Sequence, residues 1–149
     1  LKIAQAIQAD LKGVGIEAEI RTFEWGTYLD KVQRGQHDMA LLGWTGDNGD
    51  PDNFLYVLLD KSATVLPANN IAFYRSEELH EILVEAQREV DVAKRTVLYR
   101  NAQEIIFRDA PWVPLVHAAQ TAAFRSQVKG YKLHPTGSKW FHRVEIVKE

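Results

Sequence analysis

Residues 39–44, Met-Ala-Leu-Leu-Gly-Trp, narrow the possible folds of this chain more than any other stretch. A nearly continuous apolar run this short, stopping at a loop dense in turn residues, reads as a strand covered on both faces by helices. Upstream, Ile16, Ala18 and Ile20 alternate with Glu17, Glu19 and Arg21, a period of two that predicts another strand with one face toward the core. Between them the pattern predicts a helix over residues 27–34 that buries Tyr28, Leu29 and Val32, with Gly35 as a left-handed C-terminal cap. Strand, helix, strand in so few residues implies a right-handed βαβ unit and a parallel pair, so the expected class is α/β with a mixed sheet.

The flanking segments are mostly helical. Ile3, Ile7, Leu11 and Val14 form an amphipathic stripe that ends at Gly13 and Gly15. After the loop of residues 44–53, Asp52 or Asn53 is placed to cap a helix through Phe54, Val57 and Leu58. Residues 62–70 are irregular. Ser76 caps a helix with Glu77 and Glu78 in its first turn and Leu79, Ile82, Leu83 and Ala86 on its inner stripe. Asp91 caps a longer one, buried through Leu98, Ala102, Ile105 and Ile106 and stopped by Pro111. From Trp112 onward the pattern turns to short β-like runs at 113–117, 121–125 and 143–147, broken by Pro114, Gly130, Pro135 and Gly137, as in a different structural unit.

Composition removes several function classes. Lys and Arg number 18 against 20 Asp and Glu with no basic run, which leaves no footprint for nucleic acid or anionic lipid. Without cysteine there is no thiolate chemistry, and the histidines at 37, 80, 117, 134 and 142 lack zinc-site spacings. A calcium loop fails on spacing: counted from Asp47, the third and fifth positions are Gly49 and Pro51, and counted from Asp50 the fifth is Phe54. No nucleophile elbow or P-loop is present, so no metal, no cofactor and no catalytic residue is expected. The apolar runs are too short to span a bilayer. The chain opens at Leu1 inside a helical pattern, without an initiator Met or a signal-peptide h-region, and is therefore expected to be a fragment.

The chemistry concentrates in Trp44-Thr45-Gly46-Asp47-Asn48-Gly49-Asp50-Pro51-Asp52-Asn53. This loop follows the carboxyl end of a predicted parallel strand, where open α/β sheets bind ligands. Such a loop is also an ordinary turn, and tryptophans are also packing residues. Trp25, just after the first strand, would share that edge with Trp44 and Asp47. Two aromatic walls and one acid make a receptor for an ammonium group. A rival use of the acids is a hydrolase built on Asp47 and Asp50.

Phe23-Glu24-Trp25-Gly26-Thr27-Tyr28-Leu29, together with Gly43-Trp44-Thr45-Gly46-Asp47-Asn48-Gly49-Asp50-Pro51-Asp52-Asn53-Phe54, resembles the dipeptide- and oligopeptide-binding proteins of ABC importers, family 5 of the extracytoplasmic solute-binding proteins. The similarity extends to Lys12-Gly13-Val14-Gly15-Ile16, the helix before Ala110-Pro111 and Val128-Lys129-Gly130-Tyr131. It implies a type II periplasmic-binding-protein fold, with residues 1–117 as part of the C-terminal lobe and 118–149 as the return toward the hinge and N-terminal lobe. By the same resemblance the function is capture of short peptides, without enzymatic activity, outside the cytoplasm of a bacterium, for an importer's permease and ATPase subunits. Asp47 would pair with the peptide α-ammonium and Trp25 would line the pocket. Backbone groups at the strand end, Gly43, Trp44 and Thr45 with Gly46 following, would bond the peptide main chain. The arginine that holds the ligand carboxylate in dipeptide-binding members would lie upstream of Leu1, and a disulfide found in some members has its counterpart near Lys61 and Phe73. Relatives use the scaffold for haem, glutathione, nickel chelates or opines, and a rival reading keeps the binding fold but makes the protein a chemosensory or regulatory ligand adaptor.

Overall fold

The computed structural model describes residues 1–147, so the last two residues of the expected 118–149 segment lie outside the described residues. The elements are α1 (Lys2–Gly13), α2 (Trp25–Gln33), α3 (Asp52–Leu59), a 3-10 turn (Lys61–Thr64), α4 (Glu77–Arg88), α5 (Val92–Asp109), β1 (Val128–Lys129) and β2 (Glu145–Ile146). Among the described residues no helix is long and apolar enough to cross a membrane.

Local chemistry accounts for most helix ends. Ser76 Oγ accepts from Leu79 N at the start of α4, and Asp91 Oδ1 accepts from Lys94 N at the start of α5. Helix α5 stops at Ala110, in the left-handed region (φ 47°), directly before Pro111. Gly35 follows α2 with φ 71°, as predicted. Helix α2 starts two residues earlier than expected, because the Glu24 side chain caps it and accepts from Gly26 N and Thr27 N. Helix α3 begins after Pro51, and neither Asp52 nor Asn53 caps it.

The core lies where α3, α4 and α5 meet. Leu55, Leu58 and Leu59 pack with Leu79, Leu83 and Ala86, and with Tyr99, Ala102 and Ile105. Trp112 closes one side, edge-on to Phe54 with ring centroids 5.5 Å apart. Residues 60–74 fold over this core without a disulfide: Asn70 Nδ2 donates to Asp60 O and Tyr74 O, and the N–H groups of Asn69 and Asn70 donate to Ala63 O. Asp60 is fully buried, and its carboxylate accepts from Ser62 N and Ser62 Oγ and lies 2.7 Å from His80 Nδ1.

The expected strands differ from what is observed. Segments 16–20, 39–44, 113–117 and 121–125 join no ladder, and the sheet among the described residues is the antiparallel pair β1–β2, with Val128 opposite Ile146. The βαβ unit is present as a chain path around α2 but not as a paired sheet. A central parallel strand needs neighbours at its edges and cover on both faces. Among the described residues the apolar run lacks that cover, with Met39 61% exposed and Leu41 44%. Beyond residue 118 the chain gathers its own aromatic cluster, Phe124 against Tyr131 and Tyr131 against Phe141. Gly130 is required beside β1: its φ is 78°, and a Cβ there would fall 1.9 Å from Arg143 O.

Leu83, wholly buried between α3 and α5, tests this core. Leu83→Ala is expected to cost about 2–5 kcal/mol in urea unfolding followed by circular dichroism. Val90→Ala, at a position 92% exposed, is expected to change stability by no more than about 0.5 kcal/mol.

Candidate functional site

The loop of residues 44–53 is built by its own side chains and then anchored to the helical core. Asn48 Oδ1 accepts from Asp50 N, and Asp50 Oδ1 accepts from Asp52 N. Asp50 then meets Arg95 of α5 in a bidentate pair, Nη1 to Oδ2 and Nη2 to Oδ1, both 2.8 Å. Arg95 is held in turn: its Nε donates to Ala86 O at the end of α4, Nη2 donates to Tyr99 Oη, and the guanidinium lies 5.0 Å from the Tyr99 ring centre. The two bonds from Arg95, followed by the Asp52 N–H, hold the Asp50 carboxyl below its ordinary range. Asp50 thus ties the loop to α5.

Asn53 organises the other half of the loop. Its Oδ1 accepts from Trp44 Nε1 at 3.4 Å and from Asp47 N at 3.2 Å. The Asp47 side chain is exposed, and its carboxylate accepts no hydrogen bond among the described residues. Trp44 is 42% exposed and Trp25 60%, so neither ring is core. Trp25 stacks on Tyr28, whose hydroxyl donates to Leu41 O, and this links the start of α2 to the segment leading to Trp44. Burial raises the Tyr28 phenol above its ordinary value. No ring contact or hydrogen bond joins Trp25 to Trp44 or Asp47 among the described residues. The backbone groups of Gly43, Trp44 and Thr45 enter no backbone–backbone hydrogen bond there.

Trp44, Gly46 and Asp47 are therefore brought together around Asn53. Gly43 and Thr45 flank Trp44 on an open edge, and Trp25 stands on the neighbouring helix. Two concavities of about 710 and 230 Å³ are lined elsewhere, by residues such as Gln8 and Glu19 in the first and Tyr131 and His134 in the second. The edge can present a carboxylate, indole faces and backbone groups that form no backbone–backbone bond among the described residues to an extended ligand. Sequence reading missed three contributors: Arg95, Asn53 in this role, and Glu24. The clue available for Asn53 was its place in a loop dense in Asp and Asn, but the pattern suggested only a helix cap.

This architecture is part of a type II periplasmic-binding-protein fold: the chain superposes on parts of two peptide-bound structures. One is the ABC transporter-associated periplasmic binding protein DppA from Helicobacter pylori in complex with the peptide STSA, with a TM-score of 0.84, 42% identity, and 99% of this chain and 29% of that one covered. The other is the dipeptide binding protein from Pseudoalteromonas sp. SM9913 in complex with Met-Leu, with a TM-score of 0.87, 32% identity, and 97% and 28% covered. Residues 1–65 match the model of the bacterial extracellular solute-binding proteins, family 5 Middle. The chain is 40% identical over 143 residues to the probable di/tripeptide-binding protein 5 of Pseudomonas aeruginosa, covering 96% of this chain and 27% of that relative. This chain belongs to the family 5 solute-binding proteins, and it spans about a quarter of the length of the curated relatives it matches.

The Asp50–Arg95 pair sets a pH dependence. Because the folded-state pKa of Asp50 lies below its unfolded value, the pair's contribution is complete above about pH 4 and is lost as pH falls through the folded pKa. Both side chains are about a third exposed, so the contribution is about 1–2 kcal/mol. Asp50→Asn is expected to lower stability by that amount at about pH 7, with the difference closing toward about pH 2. Urea unfolding of both proteins across that range is the measurement.

Proposed function

We propose that this chain supplies one wall of a binding site for short peptides in a family 5 solute-binding protein, with Asp47 accepting the peptide α-ammonium. The observation that carries the reading is a carboxylate that accepts no hydrogen bond among the described residues, on a locked loop, following a segment whose backbone groups at 43–45 enter no backbone–backbone hydrogen bond there. A free ammonium is the complementary charge, and an extended peptide is the complementary backbone. Trp44 and Trp25 add faces that favour a cation and exclude water. The relatives' names and the bound peptides STSA and Met-Leu support the same class of ligand.

In this reading the protein is a carrier and not an enzyme. It works outside the cytoplasmic membrane, in the periplasm or its equivalent, and hands its peptide to the permease and ATPase subunits of an ABC importer. Residues 1–117 act as part of the C-terminal lobe, and 118–149 as the segment returning toward the hinge and N-terminal lobe.

Losing one partner of a desolvated charge pair costs about 2–5 kcal/mol. Asp47→Asn in the intact binding protein is expected to weaken a free-amine dipeptide roughly 30-fold or more in titration calorimetry. An N-acetylated dipeptide is expected to bind both forms poorly. Equal affinities of the two forms for the free-amine dipeptide would remove Asp47 from the site. This chain alone, with its edge open to water that screens the charge, is expected to bind a dipeptide no tighter than about millimolar.

A further inference from the structure

We propose that Asn53 is a positioning residue that holds the Trp44 indole and the Asp47 carboxylate as one unit, and so sets the protein's selectivity for a free amine. The inference rests on the reading of Asp47 as the ammonium acceptor and adds a residue to it. Two donors of the loop converge on a single atom. Asn53 Oδ1 accepts from Trp44 Nε1 and from Asp47 N, and a Cβ at Gly46 would lie 3.5 Å from the same oxygen. An amide oxygen has two lone pairs, so it can serve both donors, and both neighbours being donors fixes which end of the amide faces them.

The support beneath Asn53 is rigid. It stands in the first turn of α3, where Asn53 N donates to Asp50 O. The preceding residue, Asp52, accepts from Gln87 of α4, and Asp50 is gripped by Arg95 of α5. Position is thus relayed from the helical core through Asp50 and Asp52 to Asn53, and from Asn53 across the loop to residues 44 and 47. Without that oxygen the Asp47 N–H and the indole N–H lose their protein partner, and residues 44–49 lose their tie to α3. The Asp47 carboxylate then samples many positions, and only part of its population meets an ammonium in the bound geometry.

The test uses the intact binding protein with alanyl-alanine and its N-acetyl derivative. Asn53→Ala is expected to weaken the free-amine dipeptide about 10-fold while changing the N-acetyl dipeptide less than about threefold. Asn53→Ser is the second variant, since serine is well tolerated at a helix start and its hydroxyl is too short to serve both donors; the same loss is expected. Asn53→Asp, which keeps the acceptor, is expected to restore affinity to within about threefold. In the Ala and Ser variants the Trp44 indole proton resonance should shift and the Asp47 amide should exchange faster, and the Asp variant should recover both. Wild-type affinity and amine selectivity in the Ala or Ser variant would overturn the inference. Equal losses for both peptides without rescue by Asp would do the same, since that is the signature of a packing residue. Asp47→Asn measured alongside separates the two claims: if it binds as wild type the ammonium reading falls, and if it loses binding while Asn53→Ser does not, only the role of Asn53 falls.

Discussion

The bidentate pair between Asp50 and Arg95 is the contact on which the rest of the site depends. Three acids, Asp47, Asp50 and Asp52, fall within six residues of a loop, a density that favours expansion into water. Arg95 draws the middle one down onto the helical core, and Gln87 takes the third. The planar fork matches a carboxylate edge and is itself fixed by Ala86 O and the Tyr99 hydroxyl, so the loop inherits the rigidity of α4 and α5. A lysine could supply the charge but not the two-point geometry. The Asp47 carboxylate accepts no hydrogen bond among the described residues, and under the proposed reading it is the acid that meets the ligand.

A second polar knot holds the segment between α3 and α4. Asp60 is wholly buried, a cost that a carboxylate bears only when its oxygens are satisfied. Ser62 and His80 supply its partners, and Asn70 ties the Asp60 carbonyl to that of Tyr74 across the loop. Lys61 and Phe73 stand near the positions where the resemblance to the family placed the counterpart of a disulfide. Here Lys61 pairs with Glu77 at the start of α4, and Phe73 packs beneath Gly35. Hydrogen bonds and packing thus take over the closure of this loop.

The molecule divides into a closed half and an open half. Helices α3 to α5 bury their apolar faces against one another, and the loop they carry needs nothing further to hold its shape. The segment at 39–44, by contrast, exposes Met39, Leu41 and Leu42 along with Trp44. An ammonium held by Asp47 on that edge would remain half in water. Under the proposed reading, strong binding requires a second surface to exclude solvent, which is the arrangement a two-lobed binding protein provides.

Local order was readable from the sequence alone because local rules govern it. Ser76 and Asp91 as caps, Pro111 as a stop, Gly35 as a left-handed terminus, and the stripes of Leu79, Leu83 and Ala86 or Ala102 and Ile105 each depend on residues a few positions apart. The motif from Gly43 to Phe54 likewise marked the family. Tertiary structure alone decided the rest. Arg95 meets Asp50 across 45 positions and Asn70 reaches Asp60 across ten, and no periodicity reports which charges and amides will meet. Asn53 was read as a cap because its type suits one, while its oxygen turns back to Trp44 and Asp47. The apolar run at 39–44 carried the pattern of a buried strand, but a pattern states only what a segment can bury. Whether it forms a ladder depends on a partner edge, and that is a property of the assembled fold.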